Sequence, residues 1–197
     1  MMGHFPTVVT LKLVIKILVF SLLLNLLKLN LSCQSLDSKG KIFNSGTIVI
    51  KGNANFSQDT IKGTIVFNQN SIGFNQYIPH KTYQNILLKG GSHKIFNDTL
   101  FDFYALDYFY SDSVSIIKIF PNSEINILSI IEHNGVVNPN YNYGKVLLNG
   151  ISAQSIYGRG LFRELALKNK FGVDVINNGG FTVDNRLELA KDRKSVV

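Results

Sequence analysis

Residues 154–189 read QSIYGRGLFRELALKNKFGVDVINNGGFTVDNRLEL. Within them, Leu161, Arg163, Leu165 and Leu167 alternate with Phe162, Glu164 and Ala166. That pattern is no cleaner as a helix than as a strand, so the neighbours decide. Those neighbours are Val173, Val175 and Ile176 after Gly172, and Phe181 and Val183 after the pair Gly179-Gly180. β-Branched and aromatic residues between glycines that tolerate positive φ make strands and turns. The whole stretch therefore reads as strand, turn, strand.

The same texture continues upstream. GTIVI (46–50), GTIVF (63–67), NILLK (85–89), VSIIKIF (114–120), EINILSII (124–131) and KVLL (145–148) are short apolar or alternating runs. Gly90-Gly91, Asn134-Gly135 and Asn149-Gly150 punctuate them. A degenerate repeat places Gln58, Gln76 and Gln154 shortly before Ile61, Ile78 and Ile156, each followed by a turn residue and a strand. Residues 73–91 can be laid over 150–169 in this way. A single coil of such a repeat cannot bury its own apolar face, whereas stacked coils can. The expected fold is all-β, a right-handed parallel β-helix or solenoid preceded by a signal-peptide helix. Ile48, Val66, Leu87, Ile117, Val146, Leu165 and Val183 are expected to point inward, with Asn at the corners. An immunoglobulin-like β-sandwich, which also has short, evenly spaced strands, is the alternative.

The run at 154–189 resembles repeat regions of large exported surface proteins of Bacteroidota, which combine Gln-x-Ile, Gly, Phe-x-x-Leu-x-Leu-x-Asn, Gly-Val and Val-x-x-x-Leu-x-Leu. The resemblance is good over 144–189, fair over 46–96 and poor over 97–143. It implies a parallel β-solenoid, an adhesin-type role and display on the bacterial outer surface, at the outer membrane, rather than an activity.

The two ends read differently from the middle. Lys12 and Lys16 precede the apolar run 17–27 (ILVFSLLLNLL), and a polar, small-residue zone follows up to Cys33. This is the layout of a secretory signal peptide over residues 1–33. A transmembrane anchor needs roughly 20 apolar residues, and here that length is reached only by including lysines. Ser32-Cys33 also resembles the end of a lipobox, which makes Cys33 a lipidation candidate. Residues 192–197 (DRKSVV) can be encoded by a short-read library adapter. The expectation is a truncated N-terminal fragment whose β-repeat region, 34–191, continues beyond Lys191.

Of the 197 residues, 45% are hydrophobic, 17% are charged and one is Cys, which excludes composition-driven disorder and a disulfide scaffold. The formal charge is +7 over the whole chain, but residues 34–191 hold 15 basic against 12 acidic residues, scattered singly. A nucleic-acid surface loses its support. His80, His93 and His133 lack metal-ligand spacing and read as surface or turn residues. No metal or cofactor is expected, and no catalytic motif is present. The most unusual local composition sets Asp98, Asp102, Asp107 and Asp112 among Tyr104, Tyr108 and Tyr110. Carboxylates beside aromatic faces suit a ligand surface for calcium or carbohydrate, although the spacing is not that of an EF-hand. Asp-Ser/Thr-aliphatic triplets mark Thr60, Thr99 and Ser113 as candidates for the O-glycosylation known in Bacteroidota. Expected partners are surface glycans or other cell-surface proteins, and membrane contact only through the leader or a lipid. The favoured function is a non-catalytic, secreted or cell-surface, adhesin-like segment. The alternative is the N-terminal part of a carbohydrate-active β-helix enzyme.

Overall fold

A computed structural model of the chain describes residues 30–33, 35–39, 42, 45–96, 103–120, 123–137, 144–176 and 180–190. Among these residues there is strand and turn but no helix. In chain order the strands are β1 (Asn30–Cys33), β2 (Leu36–Ser38), β3 (Thr47–Ile50), β4 (Ala54–Phe56), β5 (Thr60–Asn68) and β6 (Asn75–Tyr77). Next come β7 (Thr82–Lys89), β8 (His93–Phe96), β9 (Phe103–Ser111), β10 (Ile116–Ile119), β11 (Glu124–Ile127) and β12 (Ile130–His133). The series ends with β13 (Val136–Val137), β14 (Lys145–Leu148), β15 (Gln154–Tyr157), β16 (Leu161–Leu167), β17 (Val173–Ile176) and β18 (Thr182–Leu189).

Every pairing between them is parallel, and each links strands one coil apart. The fold is a parallel β-solenoid, not the antiparallel sandwich that was the alternative. It has three faces. On the first, β1, β3, the second halves of β5, β7 and β9, then β12, β15 and β17 stack in order. The second carries β6, β8, β10, β13 and the starts of β16 and β18, with β2 and β4 as a separate pair. The first halves of β5, β7 and β9, with β11, β14 and the ends of β16 and β18, make the third. The leader expected over 1–33 lies outside the described residues except for its last four positions, which form β1. The expected adapter-derived tail, 192–197, lies outside them altogether.

The interior is a set of ladders, because successive side chains of a strand point to opposite faces and parallel register stacks like positions. Ile48, Ile65, Ile86, Phe109, Ile131, Ile156 and Val175 form one column of the first face. Ile61, Tyr83, Ala105, Ile127, Leu148, Leu167 and Leu189 form another on the third. Near the middle, Tyr83 lies between Phe56, Phe67 and Phe103, and Phe103 meets Phe96 edge-on at a centroid distance of 4.9 Å. The Tyr83 hydroxyl donates to Pro79 O at 2.9 Å, so its one polar atom is satisfied inside the core.

Two of the expected inward residues are turned the other way. Val66 and Leu87 occupy an outward column with Val49 and Tyr110, while Ile65 and Phe67, Ile86 and Leu88 point in. In TIVF and NILL three adjacent apolar residues carry no parity signal, and a one-residue shift reverses every side chain. Ile48, Ile117, Val146, Leu165 and Val183 stand in inward columns as expected.

Corners are closed by buried polar side chains that grip the preceding coil. The Gln76 amide donates to Ile50 O at 3.0 Å and Gly52 O at 2.6 Å. The Gln154 amide does the same to Ile127 O at 2.7 Å and Ser129 O at 3.3 Å. At a third corner the Ser115 hydroxyl lies 3.1 Å from Leu88 O and 3.4 Å from Gly90 O. In each case one side chain sits over two carbonyls two residues apart at a corner, where backbone groups need partners beyond the regular ladders. Gln58 holds Ile42 by both its N–H and its C=O. The Gln-x-Ile repeat is thus a clamp followed by an inward residue. Gln154→Ala would strip those carbonyls of their side-chain donor and orphan Gly150 N, which bonds the Gln154 oxygen at 2.8 Å; Asn169 Nδ2, on the same oxygen at 2.8 Å, would keep only Ser152 O at 2.6 Å. A buried group left unsatisfied costs about 1–3 kcal/mol, so we expect the variant to lose about 3 kcal/mol of unfolding free energy in urea titrations. Gln154→Glu, which cannot donate, should lose at least as much.

Candidate functional site

The acidic and aromatic residues singled out above are divided by the fold. Asp98, Thr99 and Asp102 lie outside the described residues. Tyr104 stands on the third face between Thr82 and Asn126. Asp107 is exposed at the corner between the third and first faces, where Gln84 Nε2 donates to it at 2.9 Å. Gln84 also accepts from Gly63 N at 2.9 Å, so one amide stitches the corners of three successive coils. Asp112 accepts from Gly90 N at 2.8 Å, from Val114 N at 3.3 Å and from the Ser115 hydroxyl at 2.6 Å. Its carboxylate holds the turn after β9 and has little capacity left for a ligand. The buried Gly90 it binds has φ +81°, a conformation that suits glycine, and a Cβ there would strike the Gln69 carbonyl.

What the structure does bring together is a smaller group on the outward side of the first face. Tyr108 and Tyr110, two apart on β9, stack with centroids 6.4 Å apart and planes 28° from parallel. The Tyr108 hydroxyl donates to Glu132 Oε2 at 2.5 Å. In register, Glu132 lies beside Tyr110 on one side and Tyr157 on the other. Lys89 Nζ stands 5.4 Å over the Tyr110 ring, a cation–π contact. Burial, and then the bond to and the charge of Glu132, hold the Tyr108 phenol protonated far beyond its ordinary range. Burial and the charges of Asp112 and Glu132 raise Tyr110 as well. The result is a half-buried aromatic platform with one carboxylate and one ammonium at its rim. Sequence reading found both tyrosines but not Glu132 and Lys89, which reach the platform only through coil stacking. The remaining candidates are separate. Thr60 and Ser113 are exposed, at the start of β5 and in the turn after β9. Half-buried Cys33 ends β1, its Sγ donating to Val49 O at 3.7 Å, and burial raises its thiol pKa.

A second constellation is internal. His133 is not at the surface but fully buried, in the inward column after Ser111. Its Nε2 lies 3.1 Å from Leu161 O, and a carbonyl can only accept, so Nε2 carries the proton. Nδ1 then accepts from the Ser111 hydroxyl at 2.5 Å. Phe162 packs on the ring at 4.4 Å, and a Cβ on Gly160 would collide with it. On the second face Lys94, also fully buried, donates to Gln76 Oε1 at 2.7 Å and to Ser92 Oγ at 2.8 Å. Burial lowers its pKa to about 8, with Asp112 pulling the other way. Of the other histidines, His93 meets Asn75 Oδ1 at 3.2 Å and His80 packs on Phe96. Among the described residues, no three His, Cys, Asp or Glu side chains gather as metal ligands. Comparison with protein-family models, curated proteins and solved structures finds no match to the chain.

The buried imidazole makes the core sensitive to acid. Burial lowers the His133 pKa from 6.5 to about 4, partly opposed by the Leu161 carbonyl. Between those values the unfolded chain takes up a proton that the folded chain refuses, so this contribution is complete above pH 6.5 and lost as pH falls toward 4. A shift of that size corresponds to on the order of 3 kcal/mol. Urea titrations at pH 7.5 and 4.5 should show the wild type losing more stability than His133→Leu by roughly that amount.

Proposed function

We propose that this chain is a non-catalytic segment of an exported, surface-displayed β-solenoid, and that the Tyr108–Tyr110 platform on its first face contacts glycans. The observation that carries the reading is the stacked, half-exposed ring pair with Glu132 at its edge. Flat aromatic faces match the apolar C–H surface of a sugar ring, and a rim carboxylate accepts from sugar hydroxyls. A filled core favours a structural role: its Ser–His pair and its lysine are sealed from substrate. Of the first-face acids around the platform, Asp112 is spent on the turn and Asp107 is tied to Gln84. A hydrolase would need two free carboxylates about 5–9.5 Å apart across a sugar bond. Export rests on the leader-like residues 1–33, and surface display on the resemblance of 154–189 to bacterial surface repeats. Lipidation of Cys33 and glycosylation at Thr60 or Ser113 would be compatible additions to such a protein.

The test is affinity electrophoresis of the folded chain through gels containing soluble polysaccharides, followed by calorimetry with any oligosaccharide that retards it. We expect retardation by at least one glycan. Tyr108→Ala with Tyr110→Ala should weaken binding about tenfold or more, roughly 1.4 kcal/mol, while the cooperative melt is retained. A wild-type chain that no glycan retards, or a double variant that binds equally well, would sink the platform reading.

A further inference from the structure

The Tyr108–Tyr110 platform belongs to a longer strip. Parallel register sets Tyr110, Glu132, Tyr157 and Ile176 in one outward column of the first face, one residue per coil. Among the described residues, Tyr110 and Tyr157 are the only aromatic members of that column. Tyr157 is half-buried, as Tyr108 and Tyr110 are, and Ile176 beyond it is exposed. Neighbouring strands lie about 4.8 Å apart, so Tyr110 and Tyr157 stand two rungs, or about 9.5 Å, apart along the solenoid axis.

Glu132 occupies the rung between them. Its Oε2 accepts from the Tyr108 hydroxyl, and its Oε1 accepts from Asn134 Nδ2 at 3.4 Å. A carboxylate offers about four acceptor positions, so each oxygen keeps one for a further donor. The order along the axis is therefore ring, acceptor, ring, with a period of two coils.

A flat sugar chain has the same period. In ribbon-like β-linked chains of the cellulose, mannan or chitin type, successive residues are turned over. Every second residue then presents the same face, and two residues span about the length of two rungs. Apolar C–H faces recur at the step between Tyr110 and Tyr157, where aromatic rings can meet them. Hydroxyls of the intervening residue fall over Glu132. An α-linked chain of the amylose type curls and does not keep that step.

We propose that the first face binds an extended, β-linked polysaccharide laid along the solenoid axis, with Tyr110 and Tyr157 stacking on alternate sugar residues and Glu132 accepting hydroxyls from the residue between. This rests on the glycan reading of the Tyr108–Tyr110 platform and adds to it a linkage class, a direction and a second stacking residue.

Calorimetry of the folded chain with cello-, manno- and chito-oligosaccharides of two to six residues, against malto-oligosaccharides of the same lengths, tests it. In at least one β-linked series we expect affinity to rise about tenfold or more from disaccharide to tetrasaccharide. The malto- series should show no such rise. Tyr157→Ala should abolish the gain with length while leaving disaccharide affinity largely unchanged, and Tyr157→Phe, which restores the ring, should keep the gain. Tyr108→Ala with Tyr110→Ala should weaken every length. Tyr157 is partly exposed, so both of its variants should melt like the wild type. Binding that is indifferent to length or confined to other glycans, a Tyr157→Ala chain that keeps the gain, or a malto- series that gains as much would overturn the axial strip and leave the platform reading standing. A chain that binds no glycan at all would remove both.

Discussion

Parallel stacking in register is the constraint on which everything else here depends. Once each strand lies on the equivalent strand of the preceding coil, every inward position must accommodate the residue below it and the residue above it. Isoleucine on isoleucine satisfies this simply, as along Ile48, Ile65 and Ile86. Where the column changes size, neighbours adjust. Tyr83 sits above Ile61 and below Ala105, and the small alanine leaves room for the ring and its contact with Phe103. Gly160 yields to His133 in the same way, across one coil boundary. The core is one continuous cluster from Ile48 to Leu167 because no coil has an interior of its own.

The polar residues inside follow from the same constraint. A three-sided coil must turn sharply, and carbonyls at its corners need partners beyond the regular ladders. Gln76, Ser115 and Gln154 supply buried contacts to those carbonyls from the following coil. Lys94 and His133 are then held by groups that already belong to the corners, Gln76 in one case and the Leu161 carbonyl in the other. These ionisable groups are parts of the frame, which is why function is better sought on the outer faces.

Much of this architecture is visible in the amino-acid order, and the exceptions have physical causes. Repeated short aliphatic runs between Gly and Asn are enough to indicate stacked strands, and the Gln-x-Ile echo marks two of the corner clamps. Parity fails in TIVF and NILL, where Val66 and Leu87 are flanked by equally apolar residues. His133 looks like a turn residue beside Asn134-Gly135. The usable signal is its two-residue offset from inward Ile131, together with a glycine at 160. The aromatic–acidic stretch reads as one cluster along the chain. A corner at Leu106 and Asp107 sends Tyr104 to one face and Tyr108 and Tyr110 to another. No linear reading places Glu132 beside Tyr108, since 24 residues separate them.

The clamps also give the shaft a mechanical direction. In each of the three, the later coil supplies the side chain and the earlier coil supplies the backbone. Tension applied from the C-terminal side would therefore peel the outermost coil first, releasing one clamp and one set of rungs before the next coil bears load. Failure would come in steps of a coil, and relaxation would let each coil re-engage a template that is still intact. A stack of this kind gives way gradually under pull.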